Sequence, residues 1–79
     1  MKKAKSVRAL IEKHRIGKKT VFVAYSLDAN VVTEGNSIEE VKENFREAMK
    51  LHLKHEPEIE KILIQKEKEE YPMMTRIFL

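Results

Sequence analysis

The chain has 79 residues, a formal net charge of +3 and a charged fraction of 37%. A chain of this length forms at most one domain, so we expect a single domain over residues 1–79 with a thin core. Cysteine is absent, which excludes disulfides, thiolate zinc sites, iron–sulfur clusters and cysteine nucleophiles. No apolar run approaches the ~18 residues of a membrane span, so we expect a cytoplasmic protein that does not enter the membrane.

Positive charge is concentrated at the N-terminus. Residues 1–19 carry eight Lys or Arg side chains and one Glu, a net charge of +7. Residues 20–79 carry eight Lys or Arg and twelve Asp or Glu side chains, a net charge of −4. A basic arm over residues 1–5 can contact phosphates by releasing counterions. The candidate nucleic-acid contacts are Lys2, Lys3, Lys5 and Arg8. The competing interpretation is a solubilising terminus, and the acidic remainder has the sign that suits a basic protein partner.

The first apolar pattern, in residues 5–14, is ambiguous. Its spacing favours a helix with an apolar stripe at Val7, Leu10, Ile11 and His14. Val7, Ala9 and Ile11 would also share one face of a strand, and Gly17 would suit a hairpin loop leading into the next strand.

The next segment predicts two strands. Residues Thr20 to Ser26 are rich in β-branched and aromatic side chains on both faces, which is typical of an inner strand. Phe22 and Tyr25 are three residues apart and therefore lie on opposite faces of that strand. A turn at 27–30 leads to a short strand over 31–34, and Gly35 and Asn36 end it.

The strongest local pattern predicts a helix that begins after Ser37. Ser37 and Glu40 form a capping box, in which the serine oxygen accepts the Glu40 amide and the glutamate reaches back to the serine amide. Apolar side chains then follow the three-four spacing of an amphipathic helix. Pro57 disfavours a helical conformation for its predecessor, so we expect the helix to end near Lys54 or His55.

The C-terminal third again leaves two interpretations open. Residues 59–66 contain Ile62, Leu63 and Ile64, which suit a strand, although Pro57 and the neighbouring glutamates can equally begin a second helix. The apolar segment 72–79 is compatible with a strand and needs to be covered by the sheet or by another subunit. We therefore expect a homodimer or higher homo-oligomer.

Patterns that carry catalysis are weak. Glycine occurs only at positions 17 and 35, so there is no phosphate-binding loop and no nucleophile elbow. His52 and His55 share a helical face, but no third protein ligand is identifiable, and we interpret them as surface or partly buried histidines. We expect no catalytic residue, no metal and no cofactor.

Residues 21–53 resemble the HicB antitoxin family. The resemblance is carried by an aromatic-Ala-aromatic strand, a Val-rich strand ending in Thr-x-Gly, and a helix that opens with Ser-x-x-Glu. These features are Phe22, Ala24, Tyr25, Val31, Val32, Thr33, Gly35, Ser37 and Glu40.

The resemblance implies an α+β fold, a partial RNase H fold in the order β-β-β-α-β, with a small antiparallel sheet and one main helix packed on it; the apolar segment 72–79 would add an extra C-terminal strand. It places the first strand in residues 5–14 and the fourth in 59–67. It also implies a non-catalytic protein that binds a HicA-type toxin, a small basic RNase. The alternative functions are a nucleic-acid-binding module that uses the basic N-terminal region, or a stand-alone dimer.

An acidic surface would complement such a toxin and raise the rate of association. The candidate partner-binding residues are Asp28, Glu34, Glu39, Glu43 and Glu47. A free strand edge that accepts a strand of the partner is an equal candidate.

Overall fold

The computed structural model describes residues 3–67 and 74–79 and shows an α+β fold. A four-stranded antiparallel sheet has the order β3-β2-β1-β4. The main helix α1 packs on one face of this sheet, which confirms the predicted fold class. The elements are β1 (Ser6–Ile16), β2 (Lys19–Ser26), β3 (Val32–Gly35), α1 (Ile38–His55), α2 (Ile59–Gln65) and β4 (Thr75–Phe78).

The ambiguous segment 5–14 lies in strand β1, so the helical interpretation was wrong. Alternate residues Val7 and Ala9 are buried under α1, and the strand continues to a two-residue loop at Gly17 and Lys18. Among the described residues, Gly17 alone has a positive φ, of 62°. A positive φ at only the first loop position is the signature of a type II′ turn, whose twist matches that of the flanking strands.

Helix α1 supplies the centre of the core. Val41, Phe45 and Met49 are fully buried at intervals of four residues, and they pack with residues of the sheet such as Ala24 and Ile77. The helix begins and ends where the sequence predicts, at Ile38 and His55. Strand β3 approaches α1 closely at Gly35, because a Cβ on this residue would lie 2.7 Å from the backbone nitrogen of Val41.

One detail of the cap differs from the prediction. The Ser37 hydroxyl accepts the Glu40 amide at 3.0 Å, as expected. The Glu40 carboxylate instead accepts the backbone amide of Asn36, at 3.2 Å, rather than that of Ser37. The bond that Glu40 accepts therefore spans residues 36–40, one residue more than the 37–40 span of the predicted capping box.

The expected fourth strand at 59–67 is wrong, because residues Ile59–Gln65 form helix α2. A helix places Ile59 and Leu63 on the same side, where Leu63 is only 1% exposed, whereas a strand would divide neighbouring apolar residues between two faces. The Glu60 and Glu67 carboxylates accept the backbone amides of Ala4 and Lys5, respectively. Side chains of segment 59–67 thus bind the two residues that precede β1.

The C-terminal strand is confirmed as β4, which pairs antiparallel with the start of β1 from Ser6↔Phe78 to Ala9↔Thr75. Ile77 is buried, so the sheet itself covers part of the apolar segment 72–79, while Phe78 is 68% exposed. Positions 72 and 73 lie outside the described residues. Neither helix within 3–67 and 74–79 has the length and apolar character that crossing a membrane requires.

Candidate binding surfaces

Three of the predicted partner-binding carboxylates lie together on α1. Glu39, Glu43 and Glu47 are exposed and recur every four residues, which places them on neighbouring positions of one helix surface. We call them the acidic ridge. Glu43 pairs with Arg46, and no ion pair within the described part of the chain engages Glu39 or Glu47. These two carboxylates are available to a partner.

The same helix surface continues beyond the ridge to an apolar side chain. Leu51 follows Glu47 by four residues and is 58% exposed. It lines a shallow groove between the C-terminal half of α1 and the free edge of β3, together with Val32, His52 and His55. Sequence reasoning missed Leu51, although its position in the four-residue series of the ridge was readable from the helix periodicity.

Asp28 lies apart from the ridge because it pairs with Arg8. Arg8 donates from Nη2 to Oδ1 of Asp28 at 2.5 Å and from Nε to Oδ2 at 3.1 Å. The two side chains are only 7% and 5% exposed. Arg8 was predicted to contact nucleic acid and Asp28 to contact a protein partner. The two side chains instead bind each other in the interior, where a partner cannot reach them.

Glu34 lies on the other face of the sheet. Its neighbours Thr33 and Gly35 face α1, as the approach of Gly35 to Val41 requires, so Glu34 points away from the helix by strand alternation. Its backbone carbonyl accepts the Asn44 side-chain amide at 2.9 Å. The structure thus separates Glu34 from the acidic ridge.

The predicted basic arm is only partly described. Lys2 lies outside the described residues, and Lys3 and Lys5 are exposed. A larger concentration of positive charge lies at the end of the β1–β2 hairpin. Its Lys and Arg side chains are Lys13, Arg15, Lys18 and Lys19, all exposed. We call residues 13–19 the basic hairpin tip. Sequence reasoning counted these charges but missed their location, because the hairpin depended on assigning 5–14 to a strand.

The face of the sheet away from α1 carries three titratable side chains in a row. Glu12 approaches His14, with 3.1 Å between Oε1 and Nε2, and it accepts a hydrogen bond from the Tyr25 hydroxyl. Desolvation raises the pKa of Tyr25 above its usual 10.0, and the negative charge and hydrogen bond of Glu12 raise it further. Phe22, by contrast, faces α1, so the predicted division of Phe22 and Tyr25 between the two faces is confirmed.

One histidine of α1, His52, lies near a carboxylate, without forming a cluster suited to a metal among the described residues. The Nε2 atom of His52 lies 3.5 Å from Oε2 of Glu56, one helical turn away. In the parts of the chain that the structure describes, no group of three or more His, Asp or Glu residues converges on a common point.

Comparison with known proteins yields no match: no family model fits the chain, and neither a curated protein nor a solved structure is significantly similar to it. The resemblance of residues 21–53 to the HicB antitoxins therefore stays a prediction.

Proposed function

We propose that this protein is a non-catalytic, antitoxin-like module of the cytoplasm that binds a small basic RNase of the HicA type and covers its RNA-binding surface. One observation carries the proposal. On a single helix surface, the acidic ridge leads to exposed Leu51 beside the free edge of β3. The fold class that the resemblance implies supports the proposal but does not by itself specify a partner.

The ridge supplies charge complementarity. Residues four apart on a helix rise by about 6 Å, so Glu39 and Glu47 define a line of negative charge about 12 Å long. A basic RNase must present a positive surface to its RNA substrate. Complementary charges at the rim of an interface mainly accelerate association and select against acidic partners.

Leu51 and the edge of β3 supply the contacts that charge alone does not provide. Protein interfaces generally place apolar groups at the centre and charged groups at the rim. Leu51 is 58% exposed in the groove between α1 and β3. The outer edge of β3 is a second candidate, and an extended strand of the partner that paired with it would compete with the Asn44 side chain for the carbonyl of Glu34.

The test begins with affinity capture from the source organism and identification of the bound protein by mass spectrometry. The captured protein is then purified, and its cleavage of RNA is measured while this chain is titrated in. We expect a small basic RNase whose activity is lost at a one-to-one ratio. A captured protein with no RNase activity, or one that cleaves RNA equally well in the complex, contradicts the proposal.

A matched pair of variants locates the interface. E43Q/E47Q removes two charges from the ridge, and E12Q/E58Q removes two exposed charges that lie on neither α1 nor β3, so both variants have the same net charge. We expect the ridge variant to lower the association rate about tenfold at low salt, with little change for the control. Equal effects of the two variants would show that net charge alone matters.

We also propose that the chain forms a homodimer or a higher homo-oligomer. The apolar segment 72–79 supports this, because the sheet covers Ile77 but leaves Phe78 68% exposed on the edge strand β4. An exposed aromatic side chain on an edge strand favours pairing with a second copy.

A further inference from the structure

The β1–β2 hairpin projects beyond the rest of the sheet. β4 pairs with β1 only as far as Ala9, and β3 ends at Gly35, opposite Phe22. The last three pairs of the hairpin, from His14↔Val21 to Ile16↔Lys19, therefore have neither β3 nor β4 beside them. At about 3.4 Å per residue, this part of the ribbon extends about 10 Å past its neighbours.

Positive charge covers this projection on both faces. Arg15 lies on the face that α1 occupies further along the sheet, as does Lys13 one pair before the projection, while Lys19 lies on the opposite face beside Ile16. Lys18 is in the turn itself. Residues 13–19 contain no acidic side chain, and the nearest carboxylate in sequence, that of Glu12, contacts His14. The Lys and Arg side chains of the basic hairpin tip thus have no carboxylate among residues 13–19 to neutralise them.

We propose that the basic hairpin tip binds double-stranded nucleic acid by entering a groove and contacting the phosphates on both sides. The major groove of DNA is about 12 Å wide and accommodates a two-stranded β-ribbon. A ribbon with cations on both faces meets both walls of the groove. The type II′ turn holds the two strands in one geometry before binding, which reduces the entropy lost on association.

An anionic lipid surface fits the tip less well. Interfacial membrane binding needs a substantial apolar surface beside the cations. Ile16, 68% exposed, is the one large apolar side chain of residues 13–19. In a groove, the same side chain packs against sugars and base edges without needing an apolar neighbour.

The proposal is tested by binding of the full chain to a fluorescent DNA duplex of about 20 base pairs. Four phosphate contacts predict a slope of about −3.6 in a plot of log K against log salt concentration. The affinity then falls about 150-fold between about 50 mM and 200 mM NaCl. For K18A/K19A, we expect weaker binding and a slope of about −1.8, equivalent to a fall of only about 12-fold over the same range.

K50A/K54A is the matched control, because it removes two exposed lysines from α1 and gives the same net charge. We expect it to keep the binding and slope of the unmodified chain. Circular dichroism of both variants shows whether the fold is retained. Absence of duplex binding at about 50 mM salt, or an equal loss of affinity in both double variants, overturns the proposal.

Two other partners are tested with the same proteins. Binding to phosphatidylserine vesicles that K18A/K19A abolishes, with no binding to the duplex, would assign the tip to membranes and overturn the proposal. Salt-dependent self-association that the same variant abolishes, again with no duplex binding, would assign it to a second copy of the chain.

Discussion

We predict that breaking the buried ion pair between Arg8 and Asp28 strongly destabilises the fold. D28A removes both acceptors of the bonds that Arg8 donates from Nη2 and Nε, in a place where the arginine side chain is 7% exposed. Removing one partner of a buried pair costs about 3–5 kcal/mol, because the remaining charge loses its compensation. The free energy of unfolding of a chain this small is itself only about 4–12 kcal/mol. D28A should therefore lose a large part of the stability of the fold.

Urea unfolding followed by circular dichroism measures this loss. With a slope of about 1 kcal/mol per M of urea, the midpoint should fall by about 3–5 M. Replacing both partners by apolar residues, in R8M/D28L, should restore most of the loss, because neither charge is then buried. A loss below about 1 kcal/mol for D28A, the range of exposed ion pairs, would refute the assignment of this pair to the interior.

Three further predictions concern the sheet. G35A should destabilise the fold by about 1–3 kcal/mol and lower the Tm by several degrees, because its Cβ would lie 2.7 Å from the backbone nitrogen of Val41; an unchanged Tm in calorimetry would contradict the close approach. E12Q should move the pKa of Tyr25 down towards 10.0, measured by ultraviolet absorbance during alkaline titration, because one of the causes that raise it is removed. A Tyr25 titration unchanged in E12Q would refute the contact between Glu12 and Tyr25. Since folding raises the pKa of Tyr25, the stability contributed by the neutral phenol is present below pH 10.0 and is lost as the pH rises through the folded-state pKa. Sedimentation of the chain at micromolar concentration should show a species heavier than 9.3 kDa that F78S reduces to the monomer, and a monomer in the unmodified chain would disprove self-association.

The elements that the sequence predicts well are those with local determinants. The cap at Ser37, the apolar periodicity that follows it and Pro57 beyond its end define α1 from residues within one helix. The acidic ridge is predictable for the same reason, because its members recur at a fixed spacing on that helix. The segment Ser6–Ile16 has no such local determinant, because the spacing of its apolar residues fits both a helix and a strand. Only its pairing with β2 and β4 makes it a strand.

Contacts between distant residues account for what the sequence did not reveal. Arg8 and Asp28 are twenty positions apart, and nothing in the sequence around either residue shows that the loop after β2 folds back onto β1. That loop is held by the amide of Leu27, which donates to the carbonyl of Arg8 at 3.2 Å. Two charged residues that composition assigned to separate binding surfaces are in fact a single structural unit.

The placement of the two charged surfaces limits how far a nucleic acid can contact this protein. α1 begins at Ile38, three residues after Gly35 pairs with Phe22, so the first carboxylates of the helix lie near the base of the projecting hairpin. A duplex that advanced along the hairpin towards α1 would bring its phosphates against Glu39, and like charges repel. Contact should therefore be confined to the basic hairpin tip and to about four phosphates, which is why the expected salt dependence is modest for a protein with sixteen Lys and Arg side chains. A slope much steeper than −3.6 would mean that cations outside the tip take part.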